Sequence, residues 1–250
     1  MGHYFNPNIP KENLHFIVDA ANIRSYPGSG TAWRNVVSPG INDLTLTNSP
    51  TFSALGSTSN FVFNGSTQYA VDSTLTDPVN IQGPMTVNVI FSPNTRTGTQ
   101  NVFAIVNNGA SQSVQIGFDG TTGAIWKFGG TALLNYSYAG VGTVWHVTYT
   151  CDGSNNSKVY INGALQTSGT VATNTGTPTT YTVGSYHTGT GQFFNGKVYY
   201  ASIHKKVFTD NEVAETWHAL KRRFGYAGIG TNPYTGDPTT EPVGGGGGPQ

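Results

Sequence analysis

Short runs of β-branched and aromatic residues recur along the chain, and Gly, Asn, Asp, Ser or Pro separates each run from the next. Many runs alternate between apolar and polar residues, which is typical of strands with one buried face. We predict strands from this pattern at residues 14–19, 60–65, 68–72, 85–92, 101–107, 113–119, 124–128, 144–150, 158–163, 180–185 and 197–207. The near absence of helical patterns between them favours an all-β fold, a two-sheet antiparallel β-sandwich.

One segment has the period of a helix, at residues 209–225. Its apolar residues fall on one face, namely Val213, Trp217, Leu220 and Phe224. Thr209 and Glu212 have the spacing of a capping box, and Gly225 is placed to end the helix. We therefore predict one short C-terminal helix beside the sheets.

The stretch TVWHVTYTCDG, residues 143–153, raises the question of a catalytic cysteine. Strand alternation places Trp145, Val147, Tyr149 and Cys151 on one face and His146 on the other. A nucleophilic thiol needs a base within hydrogen-bond reach, and His146 points away from it. We interpret Cys151 as a packed core residue, because cysteine is among the residues most often buried.

Composition and charge argue against several classes of binding partner. Charged residues make up 10% of the chain, and 12 basic residues balance 12 acidic ones. Such a chain has no long-range field to attract nucleic acid. It also has a single cysteine, no stretch of about 20 apolar residues that would span a membrane, and no secretory signal pattern. We predict synthesis in a host cytoplasm, no disulfide, and no nucleic-acid or membrane partner.

Catalytic motifs are missing from the sequence. Glycanases with two-sheet jelly rolls place paired carboxylates on one strand, whereas the four glutamates here lie outside the predicted strands, at Glu12, Glu212, Glu215 and Glu241. No nucleophile elbow, zinc-binding helix or phosphate loop is present. We predict that the protein is not an enzyme and needs no cofactor. Asp119 and Asp152 end strands and are candidate Ca²⁺ ligands, with turn formation as the alternative interpretation.

Several longer segments resemble a known family. WHVTYTCDGSNNSKVYINGALQTSG, FVFNGSTQYAV and YTVGSYHTGTGQFFNGKVYYASIHKKVFTDNEV are similar to laminin G-like, concanavalin A-like jelly rolls. The opening LHFIVDAANIRSYPGSGTAWRN also resembles the start of such domains in bacteriophage structural proteins. This resemblance implies a jelly-roll domain at 14–225, an N-terminal arm at 1–13 and a Gly/Pro/Thr-rich tail at 226–250. Within the domain, Asn162–Gly163 and Asn195–Gly196 fit tight hairpin turns.

The resemblance implies a non-enzymatic virion protein, a capsid decoration or tail component, located in the virion. Other virion proteins are the expected partners, and a homo-oligomer is one arrangement. The tail residues expected to contact partners are Tyr226, Pro233, Tyr234, Pro238 and Pro242. The alternative is a carbohydrate-binding module or adhesin for host surface glycans. Its candidate sugar-facing residues are Trp126, Tyr136, Tyr138, Tyr186 and His187, each of which could instead pack in the core.

Overall fold

The computed structural model describes residues 9–107, 113–120, 122–127, 132–136, 140–171 and 176–224. The proposed tail and its five partner-binding residues lie outside this part of the chain, as does Tyr138. Within it, no helix combines the length and the apolar composition needed to cross a bilayer.

Two antiparallel sheets form the molecule. The strands are β1 Leu14–Asp19, β2 Ala32–Trp33, β3 Leu44–Thr47, β4 Thr51–Ser53, β5 Asn60–Asn64, β6 Tyr69–Asp72, β7 Met85–Pro93, β8 Thr99–Val106, β9 Ser113–Asp119, β10 Thr122–Lys127, β11 Ala132–Tyr136, β12 Trp145–Cys151, β13 Asn156–Ile161, β14 Ala164–Thr170, β15 Thr180–Val183 and β16 Asn195–His204. Sheet A has the order β14, β13, β12, β7, β16, β5, β4, with β1 also paired to β16, and sheet B has the order β11, β10, β9, β8, β15, β6, β3, β2.

The main hydrophobic core lies between the two sheets. Strand alternation builds it, because every second residue of β7 and β12 faces inward. In β16 an irregularity between Val198 and Tyr200 shifts the alternation, so that Val198, Ala201 and Ile203 face inward. In β12 the inward set is Trp145, Val147, Tyr149 and Cys151, as the sequence predicts. The Cys151 thiol is fully buried among these side chains, and its Sγ donates to the carbonyl of Asp152 at 3.3 Å. The all-β sandwich prediction is therefore confirmed.

All eleven predicted strands are present, with ends that differ by up to three residues. The structure has five further strands that the sequence pattern did not predict: β2, β3, β4, β11 and β14. The first three contain only two to four residues, too few to display a period. Strand β14 reads ALQTSGT and is largely exposed, so it lacks the apolar face on which the prediction depended.

The C-terminal helix, α1, spans Asp210–Lys221 and is shorter than predicted. The capping box is present, since the Thr209 side chain accepts from the backbone of Glu212 and the Glu212 side chain accepts from the backbone of Thr209. The α-helix ends before Gly225 because the backbone N–H groups of Arg223 and Phe224 donate to carbonyls only three residues earlier, those of Leu220 and Lys221. This spacing is that of a 3₁₀ turn.

The two predicted Asn-Gly turns have different structures. Asn162 and Gly163 have φ of 50° and 83°, as a tight hairpin between β13 and β14 requires. The Asn195–Gly196 prediction was wrong, because these residues begin β16. Gly196 is needed for close packing: a Cβ there would lie 2.4 Å from Phe194 Cζ and from the Ser92 carbonyl oxygen.

Candidate carbohydrate-binding rim

Four loops meet at one end of the sandwich: residues 48–50, 64–68, 94–98 and 184–194. We call this end the rim. The longest of the four joins β15 to β16 and folds into a narrow hairpin, because Tyr186 N donates to Gly191 O at 3.1 Å and Phe194 N donates to Gly184 O at 2.9 Å. This hairpin carries Tyr186 and His187, two of the residues predicted to face sugar.

Tyr186 and His187 lie side by side and half-buried, with ring centroids 6.3 Å apart. The His187 ring nitrogen Nδ1 lies 3.0 Å from the Thr188 hydroxyl. A tyrosine hydroxyl is protonated at neutral pH and can donate, and burial raises the pKa of Tyr186 further above its ordinary value. This pair combines aromatic surface with hydrogen-bonding groups, which sugar recognition requires.

Two further aromatic side chains join the hairpin, and the sequence pattern did not single them out. Tyr69, at the start of β6, packs against Gly189, where a Cβ would come within 2.4 Å of its ring. Phe193 lies 6.3 Å from Tyr69, centroid to centroid. Both rings are half-buried. The signal was available in the runs STQYAV and GQFFNG, but alternation could not show that these runs meet in space.

Side-chain amides fix the rim in place. Asn101, fully buried on β8, donates from its backbone to Gln192 O at 2.8 Å and from its side chain to Gln192 Oε1. Gln100 Oε1 accepts from Asn195 N at 2.9 Å, and Gln68 Nε2 donates to the carbonyls of Asn48 and Ser49. The loops are thus preorganised, which lowers the entropic cost of binding a ligand.

Backbone strain is concentrated at the same end. Among the described residues other than glycine, eight have a positive φ, and five of them are asparagines, the residue that best tolerates it. The other three are Ser49, His187 and Gln192, with φ of 54°, 51° and 52°. All three belong to the rim. Strained conformations of this kind are found mostly at functional sites.

The rim carries little charge. Arg96 is the one charged residue in the four loops, and Asp119 lies beside them at the end of β9, where its Oδ1 accepts from the Thr99 hydroxyl at 3.0 Å. The surface therefore offers amides, hydroxyls and aromatic rings, a set suited to uncharged polar ligands.

The remaining predicted residues lie elsewhere. Tyr136 is buried in the core and donates to Gly117 O at 2.7 Å, so its ring offers no surface to a sugar. Trp126 belongs to β10 and its backbone pairs with Gln115; its side chain lies outside the described part.

The two proposed calcium ligands are at opposite ends of the sandwich. Asp152 follows β12 and closes a turn by accepting from the backbones of Ser154 and Asn156, each at 2.8 Å. Asp119 is at the rim. In the described residues no three His, Cys, Asp or Glu side chains gather where a metal ion could bind. The turn-forming interpretation accounts for the contacts of Asp152.

Two glutamates do come together, which the sequence did not predict. Glu12 and Glu212 each accept from Lys206 Nζ at 2.7 Å. Burial alone would raise the pKa of Glu212, but the hydrogen bonds from Lys206 and Thr209 outweigh it and lower the pKa. A glycosidase acid needs a raised pKa. Glu212 therefore has the electrostatics of an ion-pair network and not those of an acid catalyst.

Comparison with known proteins agrees with this architecture. The laminin G-type model described as the concanavalin A-like lectin/glucanases superfamily matches residues 63–214. The chain belongs to this superfamily, and its fold is a lectin-like jelly roll.

Solved structures show the same fold. Trypanosoma rangeli sialidase in complex with sialic acid is similar with a TM-score of 0.64 and 14% identity, over 86% of this chain and 34% of the sialidase. The botulinum neurotoxin serotype G binding domain is similar with a TM-score of 0.61 and 13% identity, over 81% of this chain and 50% of that one. The chain thus spans a third to a half of these proteins, and at such identities the likeness shows the fold alone. No curated protein sequence matches the chain.

Proposed function

We propose that this protein is a non-catalytic carbohydrate-binding module and that the rim is its binding site. One observation carries the proposal. Tyr69, Tyr186, His187 and Phe193 converge half-buried around one hairpin that is fixed by amide hydrogen bonds and nearly free of charge. Aromatic rings stack on the apolar faces of sugars, and neighbouring amides and hydroxyls satisfy the sugar hydroxyl groups.

The lectin-like fold and the names of its structural neighbours support this proposal at the level of class. One neighbour is a sialidase bound to sialic acid and another is a toxin binding domain. The absence of catalysis is part of the proposal. It is supported by the ion pairs of Glu12 and Glu212, because both carboxylates accept a hydrogen bond from Lys206.

A glycan array tests the proposal. We expect the full chain to bind a set of glycans, and Tyr69→Ala or Phe193→Ala to weaken that binding at least about fivefold, since stacking of this kind contributes roughly 1 kcal/mol or more per ring. Leu55→Ala is the matched control, because Leu55 is exposed at the opposite end of the sandwich. A flat array for the full chain, or equal binding by all variants, would contradict the proposal.

A virion location is the second candidate, and it is compatible with the first. It is supported by the similarity of residues 14–35 to bacteriophage structural proteins. In the fold, this segment shapes one corner of the sandwich: Ser25 Oγ donates to Arg34 O at 2.7 Å, and the Tyr26 hydroxyl donates to Gly30 O at 3.1 Å. Its partners in such a particle would be other virion proteins.

Locating the protein in purified phage particles tests this candidate. Labelled antibody should mark intact particles, and removal of residues 227–250 should abolish attachment while the β circular dichroism spectrum stays unchanged. Particles that lack the protein would contradict the virion location. Attachment that survives the truncation would contradict the role of the tail.

A further inference from the structure

Helix α1 packs on the outer face of sheet A and contributes nothing to the main core between the sheets. It is held by two small apolar clusters. Val213 packs with Tyr160 and Phe208, and Leu220 packs in a group that includes Ile17 and Tyr199. An element with its own small contacts can open while the rest of the domain stays folded.

Between these clusters the helix covers a polar layer. The Trp217 ring stacks on His146 with centroids 5.9 Å apart and planes 13° apart. Beneath it, Asn88 Oδ1 lies 3.1 Å from His146 Nε2 and accepts from the Thr148 hydroxyl at 2.8 Å. His146 is fully buried. The groups around it are an amide, a hydroxyl and an indole, so an imidazolium ion here would have no counter-charge.

The ends of the helix are tied to the sandwich by ion pairs. At the first turn, Asp210 accepts from Lys158 Nζ at 2.8 Å and from the Tyr160 hydroxyl at 2.6 Å. Glu212 accepts from Lys206 Nζ at 2.7 Å. Just beyond the last turn, Arg223 donates to both carboxylate oxygens of Asp19. Each of these ties requires an ionised carboxylate.

Protonation acts in the same direction on His146 and on Asp210. Burial lowers the pKa of His146 to about 3, and hydrogen bonds from Lys158 and Tyr160 lower the pKa of Asp210. A released helix would return these groups toward their ordinary pKa values, so the open form takes up protons that the closed form excludes. The other ionisable groups on or facing this helix are Glu12, Glu215, His204, His218 and Lys221.

We propose that helix α1 is an acid-sensitive latch, which detaches from sheet A as the pH falls while the two-sheet sandwich remains folded. Opening exposes the polar outer face around Asn88, His146 and Ser202. In the closed structure, Asn88 Nδ2 donates to Ser202 Oγ at 3.3 Å on this face. In the described part of the chain, the cluster that forms the main core consists of apolar side chains, tyrosines, tryptophans and one cysteine.

Hydrogen exchange of the full chain between pH 7.5 and pH 3, corrected for the intrinsic rate, tests the proposal. We expect amides 213–221 to open roughly tenfold more often for each pH unit and each proton taken up, while amides of β7, β12 and β16 stay protected. Loss of protection in helix and sheet together, or a helix whose protection does not change, would overturn the proposal.

Variants separate the latch from general acid instability. His146→Gln places an uncharged, hydrogen-bonding amide at this position that cannot take up a proton, so the pH dependence of helix opening should decrease. Asp210→Asn should raise helix opening at pH 7.5 and reduce its pH dependence below about pH 4.5, where an aspartate in the open form begins to take up a proton. His187→Gln, on the rim, is the control and should leave helix exchange unchanged. If His146→Gln fails to fold, the Asp210→Asn result decides, and a wild-type pH dependence below about pH 4.5 in that variant would overturn the proposal.

Discussion

Arg223 donates to both carboxylate oxygens of Asp19, from Nη1 at 3.0 Å and from Nη2 at 2.9 Å. The same guanidinium donates from Nε to the carbonyl of Ser57 at 3.0 Å. Both side chains of the pair are largely buried, at 11% and 13% exposure. One residue thus joins the end of helix α1 to the end of β1 and to the turn before β5.

The geometry of this clamp predicts that lysine cannot replace the arginine. Arg223→Lys keeps the charge but loses the planar two-point contact and the bond to Ser57. We expect a loss of about 1–3 kcal/mol in the free energy of unfolding, measured by urea denaturation. Arg222→Lys, at the exposed neighbouring position, should change it by less than about 0.5 kcal/mol. Equal effects of the two variants would contradict a structural role for the clamp.

Gly163 lies directly under Trp217 and has a positive φ of 83°; a Cβ would approach Trp217 Cδ1 to 2.8 Å. Gly163→Ala should therefore cost both backbone strain and a displaced helix, about 2–4 kcal/mol in thermal or urea unfolding. Gly142→Ala separates the two effects, since Gly142 has a similar φ of 77° with nothing within 4 Å. Equal costs would show that the contact with Trp217 contributes nothing.

These glycines also show where sequence reasoning succeeded and failed. Alternation predicted the inward face of β12 and the sandwich, and the spacing of Thr209 and Glu212 predicted the capping box, because each depends on residues close in sequence. It missed β14, whose exposed residues carry no apolar period. It could not distinguish Asn162–Gly163 from Asn195–Gly196, because the second glycine is required by Phe194 and Ser92, a contact set by tertiary packing.

The rim was predicted only in part for the same reason. Tyr186 and His187 stood out because they are adjacent in a glycine-rich loop. Tyr69 and Phe193 belong to separate segments of the sequence, and the pairing of β6 with β15 brings them together. For Tyr136 the core-packing alternative holds, because Gly123 leaves room for its ring on the neighbouring strand and the ring is buried there.

A buried tyrosine supports the turn before β7. The Tyr181 hydroxyl accepts from Val79 N at 2.7 Å and lies 3.1 Å from His15 Nε2. Tyr181→Phe leaves a buried N–H without a partner and should cost about 1–3 kcal/mol in urea unfolding. Tyr26→Phe, which removes a hydroxyl bonded only to the Gly30 carbonyl in a more exposed loop, should cost less. The reverse order would contradict this assignment.

Global stability should also depend on His204. Burial is the main cause that lowers its pKa to about 4, against the opposing effects of the Glu12 backbone and the Glu212 carboxylate. The folded state keeps this imidazole neutral, whereas the unfolded chain protonates it below about pH 6.5. The free energy of unfolding should therefore fall as the pH decreases from 6.5 to 4, by up to about 1.4 kcal/mol per pH unit from this residue.

His204→Gln tests that contribution. Its free energy of unfolding, measured by urea titration at several pH values, should fall less steeply than that of the unaltered protein over the same range. Parallel slopes would mean that His204 does not supply the pH dependence.

The most direct test of the central claim is to map the glycan contact on the protein itself. In a two-dimensional amide NMR titration with a glycan selected from the array, we expect the largest shift changes at residues 66–69, 100–102 and 186–193. Shift changes confined to the opposite end of the sandwich, at 152–157 and 54–59, or to the outer face of sheet A would place binding elsewhere and contradict the account.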